Sequence, residues 1–218
     1  EMSASLVGSE MCIRDRDIVI ISSDHTRPVP SCVTMPILLH HIHSAAPEAR
    51  VRILVATGMH RPSTHEELVN KYGEEIVANE EIVMHVATDD SMMKKIGTLP
   101  SGGECIINKI AADCDLLLAE GFIEPHFFAG FSGSRKSVLP GIASYKTIMY
   151  NHNGQFVNDS HSRAGNLCHN HVSEDMFAAA EMAHLAFVLN VVLNGKHEVI
   201  GSFAGDIHKA HEAGCEFV

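Results

Sequence analysis

The chain has 218 residues, 45% of them hydrophobic, enough to bury a substantial core as one domain of α/β size or two small ones. With 16 basic against 27 acidic residues the net charge is −11, which argues against an extended nucleic-acid surface, and no apolar stretch reaches the length of a bilayer span. The cysteines (Cys12, Cys32, Cys105, Cys114, Cys168, Cys215) lack C-x-x-C spacing, so they read as reduced thiols of a soluble cytoplasmic protein rather than a zinc ribbon or a disulfide framework.

Residues 1–16, EMSASLVGSEMCIRDR, have neither a basic start nor a long apolar centre and are read as a non-native leader, with the domain running from Asp17 to Val218. Asp17 to Ser22, DIVIIS, is a β-branched run suited to a buried strand, and it delivers Asp24 and Arg27 into the loop SDHTRPVPS. Pro28 and Pro30 stop that strand and open a helix to about His43, with Pro36 expected to bend or delay it. By themselves Asp24 and Arg27 read better as a helix cap and its neighbour than as a functional pair. Val51 to Ala56 is a second buried strand, followed by Thr57-Gly58-Met59-His60. A histidine just past a strand end and a glycine is held on a rigid base. Ser63 with Glu66, or Thr64 with Glu67, offers a capping box for a helix ending near Gly73.

Glu81 to Val86 reads as a third strand, and Thr88 to Glu104, with Gly97, Pro100, Gly102 and Gly103, as an irregular connection. Glu104 to Asn108 and Asp115 to Glu120 read as further strands. After a polar loop from Gly154 to Gly165, a helix from Ser173 to His184 takes Ser173 as its cap. Phe187 to Asn194 and Glu198 to Phe203 suggest a hairpin around Gly195 and Lys196, and a short helix ends near Gly214. Apolar strands alternating with helical patterns define the fold class: α/β, a mainly parallel sheet flanked by helices, with a later antiparallel addition.

The densest chemistry lies between Ala119 and His152, in AEGFIEPHFFAGFSGSRKSVLPGIASYKTIMYNH. Gly130 and Gly133 permit positive φ and close backbone approach, while Arg135 and Lys136 bring cations to the same place, so an anionic ligand is expected. The run from Gly130 to Ser137 nearly forms G-x-x-x-x-G-K-[ST], but Arg135 stands where the second glycine belongs, and the phosphate-wrapping ATPase loop is rejected. A solvated surface turn is the plain alternative. The loops at Asp24, His60 and His126 each follow an apolar strand, and in an open parallel sheet such loops gather along one edge. Two histidines facing one ligand can act as general acid and general base, and Arg27 could clamp a carboxylate.

SDHTRPVPS (Ser23 to Ser31), ATGMHRP (Ala56 to Pro62), EPHFFAGFSGSRKSVLPGIA (Glu124 to Ala143) and the pair Asn151-His152 resemble the lactate racemase family that uses a nickel-pincer nucleotide. The resemblance covers most of the chain after Arg16 and implies an N-terminal catalytic and cofactor-binding domain. It assigns His60 and His126 as the proton-transferring pair, Arg27 and Asp24 to substrate binding, Lys136 to covalent cofactor attachment and His152 to nickel. Arg135, Gly130 and Gly133 are expected in the cofactor cradle. The implied reaction is racemisation of a small 2-hydroxy acid such as lactate by reversible hydride transfer. The implied partners are the enzymes that make the cofactor and a second, C-terminal domain closing over the site, none of which lies before Val218; no nucleic acid or membrane partner is expected. Two rival readings stay open: a three-histidine metal-dependent hydrolase built on His60, His126 and His152, and a non-catalytic nucleotide- or anion-binding module.

Overall fold

A computed structural model describes residues 16–218; the leader assignment lies outside them except for Arg16. In chain order the elements are β1 (Asp17–Ser23), α1 (Ser31–Ala45), β2 (Arg50–Ala56), α2 (His65–Tyr72), α3 (Glu74–Asn79), β3 (Glu81–Met84), β4 (Met93–Thr98), β5 (Glu104–Asn108), α4 (Lys109–Ala112) and β6 (Leu116–Phe122). Then follow β7 (Pro125–His126), β8 (Gly130–Phe131), α5 (Arg135–Val138), α6 (Tyr145–Asn151), α7 (Gly154–Val157), α8 (His171–Met182), β9 (Leu185–Leu193), β10 (Val199–Gly205) and α9 (Ile207–Phe217).

Six strands form the central sheet in the order β10-β9-β6-β1-β2-β3. All neighbours run parallel except the β9–β10 hairpin, so the mainly parallel α/β architecture with an antiparallel edge is observed. Strand β1 explains why the run DIVIIS is continuously apolar. Side chains alternate across a strand. Ile18 and Ile20 enter a core with Met35, Leu38, Leu39 and Tyr72, whereas Val19 and Ile21 enter the opposite core with Leu139, Ile142, Met176 and Ala180. With helices over both faces, neither register position can be polar without loss, and each fully buried aliphatic chain contributes roughly 1.5–3 kcal/mol.

Several elements depart from the sequence reading for identifiable reasons. Thr88 to Glu104 is not wholly irregular, because β4 pairs antiparallel with β5 in a separate two-stranded ribbon, leaving β5 outside the main sheet. The pattern of β4 is half exposed and broken at Gly97, where the register shifts, so period-two alternation is weak. Pro36 lies inside α1 on an exposed turn, and the helix continues through it to Ala45. The cap of α8 is Asn170, whose Oδ1 accepts from Ser173 N at 3.1 Å, while Ser173 itself is buried. The Thr64–Glu67 capping box forms in α2, with Thr64 N donating to Glu67 Oε2 at 2.8 Å.

The chain leaves β1 toward β2 and β3, then returns to place β6 on the other side of β1. The order of connection therefore reverses between β1 and β6. In open α/β sheets the crevice at the carboxyl ends of such strands is where ligands bind.

Candidate active site

Loops after β1, β2 and β6 meet at that reversal around a cleft of about 330 Å³, lined by Asp24, Arg27, His60, His126, Gly133, Lys136 and His152. The first loop is built on Asp24, which is 1% exposed. Its Oδ1 accepts from Thr26 N at 2.9 Å and from Thr26 Oγ1 at 2.6 Å, and its Oδ2 pairs with His60 Nδ1 at 2.6 Å. Burial alone would raise the Asp24 carboxyl, but the hydrogen bonds from Thr26 and His60 outweigh it and hold the group below the usual carboxylate range.

His60 is carried by a tight turn after β2, in which His60 N donates to Thr57 O at 2.9 Å. Gly58 sits at φ +55° and donates its N–H to Gly141 O at 2.9 Å, so the turn needs a residue free to adopt left-handed backbone. Thr57 Oγ1 adds a 2.6 Å bond to His85 O. With Asp24 accepting at Nδ1, His60 carries its proton there and keeps Nε2 as an acceptor.

His126 has the opposite tautomer. Ala129 N donates to its Nδ1 at 3.2 Å, so a neutral His126 bears hydrogen on Nε2. The ring stacks on Phe127 and meets Phe128 edge-on, with centroids 4.7 Å apart in each case. Burial first, then the charges of Lys136 and Arg27, pushes His126 down to about 3. It is neutral at physiological pH.

Lys136 and His152 share the Phe128 wall. Lys136 Nζ is 5.9 Å from the Phe128 ring centroid and has no hydrogen-bond acceptor among the described residues. Burial, reinforced by Arg135 and Arg27 and opposed by Glu124, pushes it down to about 7. His152 follows the last residue of α6 and meets Phe128 edge-on at 5.1 Å. Its Nδ1 is buried without a partner, and burial together with the Lys136 charge pushes the ring down to about 4. Arg27 is exposed at the mouth of the cleft.

Arg135 does not belong to the cradle. It is 2% exposed and turns into the core, where Nη1 donates to Ser132 O at 2.8 Å and Nη2 to Ala129 O and Phe131 O, each at 3.0 Å. Its guanidinium also lies 2.6 Å from His211 Nε2 and 4.7 Å from the Phe177 ring centroid. Successive helical residues are rotated by about 100°, so within α5 one cation faces the core and the next the cleft. Gly130, at φ +79°, is likewise taken by the fold, since a Cβ there would lie 2.3 Å from Asn166 O. Gly133, at φ +114°, does line the cleft, and its missing Cβ makes room for the His211 ring.

Two features escaped the sequence reading. Phe128 is the common wall for His126, Lys136 and His152, signalled only by the Phe pair after His126. Glu120, 0% exposed, lies in the otherwise apolar run of β6 and accepts hydroxyl hydrogen bonds beneath the first loop. Among the described residues no group of three His, Cys, Asp or Glu side chains could hold a metal ion, so His60, His126 and His152 do not form the centre that the hydrolase reading requires. No helix among the described residues is long and apolar enough to cross a membrane.

Fold and cleft define an α/β domain whose histidine- and lysine-lined site sits at the carboxyl edge of a parallel sheet. The chain belongs to the lactate racemase N-terminal domain family, whose sequence profile matches residues 6–165. It is 68% identical over 209 residues to a lactate racemase of Lactiplantibacillus plantarum, covering 96% of this chain and 49% of that protein. It is 54% identical over 203 residues to the lactate racemase of Thermoanaerobacterium thermosaccharolyticum, covering 93% and 48%. The solved apoprotein of a lactate racemase from that organism superposes with a TM-score of 0.91 at 53% identity, covering 93% of this chain and 48% of that one. A Thermotoga maritima protein at 23% identity, TM-score 0.79, shares the fold, over 94% of this chain and 54% of its own. The chain thus spans about half the length of the curated relatives it matches.

Proposed function

We propose that this domain is the catalytic and cofactor-binding half of an enzyme that racemises lactate or a similar 2-hydroxy acid by reversible hydride transfer. The observation that carries the reading is the pairing in one cleft of two imidazoles with opposite tautomers, His60 offering a lone pair at Nε2 and His126 offering an N–H. Removing hydride from a carbon that bears a hydroxyl requires a base for the hydroxyl proton and a donor for the oxygen as it becomes a carbonyl. His60 takes the hydroxyl proton at Nε2 and returns it to the alkoxide, while His126 holds the oxygen through its Nε2–H. Arg27 at the cleft mouth receives the substrate carboxylate, and Asp24 orients His60 and stabilises it once protonated.

The residues also suit a nickel-pincer nucleotide. His152 presents a neutral ring with an unpartnered buried nitrogen, the state in which imidazole ligates a transition metal, and Lys136 presents an amine with no competing hydrogen-bond acceptor. Lys136 would hold the group covalently and His152 would ligate its nickel; when bound, the group supplies the electrophile that accepts hydride, which no side chain provides. Phe128 walls this side of the cleft and limits water beside both residues.

The test is metal analysis with intact-mass spectrometry of the full-length protein coexpressed with the cofactor-making enzymes. A nickel-containing adduct that disappears in Lys136→Ala supports the reading. An adduct unchanged in Lys136→Ala rejects it.

A further inference from the structure

Glu120 occupies a position where packing alone calls for an apolar side chain. It lies in Leu116–Phe122, a strand whose other residues are aliphatic, aromatic or glycine, and it is fully buried. Burying a carboxylate costs several kcal/mol unless hydrogen bonds replace its lost water. Here they do. Oε1 accepts from Ser22 Oγ at 2.6 Å and Ser31 Oγ at 2.5 Å, and Oε2 accepts from Thr34 Oγ1. Tyr72 OH donates to Ser22 Oγ at 2.8 Å, so the donors run in one direction, from phenol to serine to carboxylate, and each bond polarises the next.

The placement of the donors carries the argument. Ser22 is the penultimate residue of β1, two before Asp24, while Ser31 and Thr34 lie in the first turn of α1, directly after the loop that carries Asp24 and Arg27. One carboxylate therefore fastens both ends of that loop. Lys71 adds a bond of 3.3 Å from Nζ to Ser23 Oγ, and its charge balances Glu120 from the same side. Arg27 N donates to Asp24 O at 3.3 Å, but its guanidinium makes no hydrogen bond among the described residues, so its position depends on how firmly the loop beneath it is held.

We propose that Glu120 is a positioning residue for substrate-carboxylate recognition, acting through the Asp24–Arg27 loop; this rests on the racemase reading above. A merely structural Glu120 would affect stability and leave substrate affinity alone. Gln at 120 keeps the shape but offers one acceptor oxygen in place of two, so the three hydroxyls can no longer all donate.

The experiment has two arms. In the full-length holoenzyme, Glu120→Gln raises KM for the 2-hydroxy acid about 10-fold, with the adduct at Lys136 unchanged by intact mass; in an Arg27→Ala background the same substitution leaves KM unaltered, because the coupling runs through Arg27. In the present chain, amide hydrogen exchange of residues 24–30 quickens about 10-fold in Glu120→Gln while residues 17–21 stay protected. Thr34→Val, which deletes one donor without changing volume, carries the same comparison in smaller measure should Glu120→Gln not accumulate. KM within twofold of the parent, equal effects with and without Arg27, or unchanged exchange in the loop would each overturn the proposal. If the parent holoenzyme itself fails to interconvert enantiomers, the racemase reading falls, and the exchange arm still decides whether Glu120 holds the loop.

Discussion

Asp24 Oδ2 lies 2.6 Å from His60 Nδ1, a carboxylate from the end of one strand fixing the ring carried by the next. Asp24 is almost fully buried while the His60 side chain is 45% exposed, so the anchored end is dry and the free nitrogen faces the cleft. Asp24→Asn keeps the volume but can leave Nδ1 as the acceptor, the wrong tautomer for a base at Nε2. Steady-state kinetics are expected to show kcat/KM falling by about 10²–10⁴-fold with little change in melting temperature.

The Lys136 amine, pushed down to about 7 by burial and then by the neighbouring guanidinium groups, is substantially uncharged near neutrality. An amine reacts only when deprotonated. Adduct formation from isolated cofactor and apoprotein, followed by intact mass, is expected to accelerate through pH 7 and level off above it. Without this shift the rise would continue toward pH ~10.

Arg135 tests the corrected view of the Gly-rich loop. Its guanidinium bonds the carbonyls of Ala129, Phe131 and Ser132, so Arg135→Ala removes these donors and empties a buried site, although Ala129 O keeps Phe131 N and Ser132 O keeps His211 Nε2; denaturant unfolding is expected to show a loss of about 2–5 kcal/mol. A cradle role would instead leave stability intact and lower anion affinity.

His85 and His211 are buried and neutral, pushed by burial to about 4 and about 3 respectively. Their folded pKa values lie below the unfolded value of ~6.5, so between those limits the unfolded chain binds more protons and stability rises with pH. Acidification from pH 7 to 5 is expected to lower the urea midpoint, with His85→Asn reducing the slope. A midpoint independent of pH in this window would contradict the burial argument.

The architecture was legible because β1, β2 and β6 are buried on both faces, and doubly buried strands announce themselves as unbroken aliphatic runs. The location of the cleft followed from the same strands, since parallel neighbours bring their carboxyl-end loops together. Side-chain direction was not legible. Arg135 and Lys136 are adjacent in sequence and belong to opposite sides of a short helix, and no composition rule separates them. Gly130 carried a signal of backbone freedom without saying whether a ligand or the Asn166 carbonyl uses the space. The β4–β5 ribbon was hidden by a half-exposed strand broken at Gly97, and Glu120 was overlooked because one charged residue in an apolar strand reads as noise until its donors are seen.

The central claim is that His60 and His126 serve a hydride transfer within one cleft. Its most direct test follows 2-deuterio-lactate through racemisation by the full-length holoenzyme in ordinary water. The label is expected to stay on C2 in both product enantiomers, with His60→Ala and His126→Ala each slowing interconversion by about 10²-fold or more. Loss of the label to solvent, or near-parental rates in either variant, would contradict it.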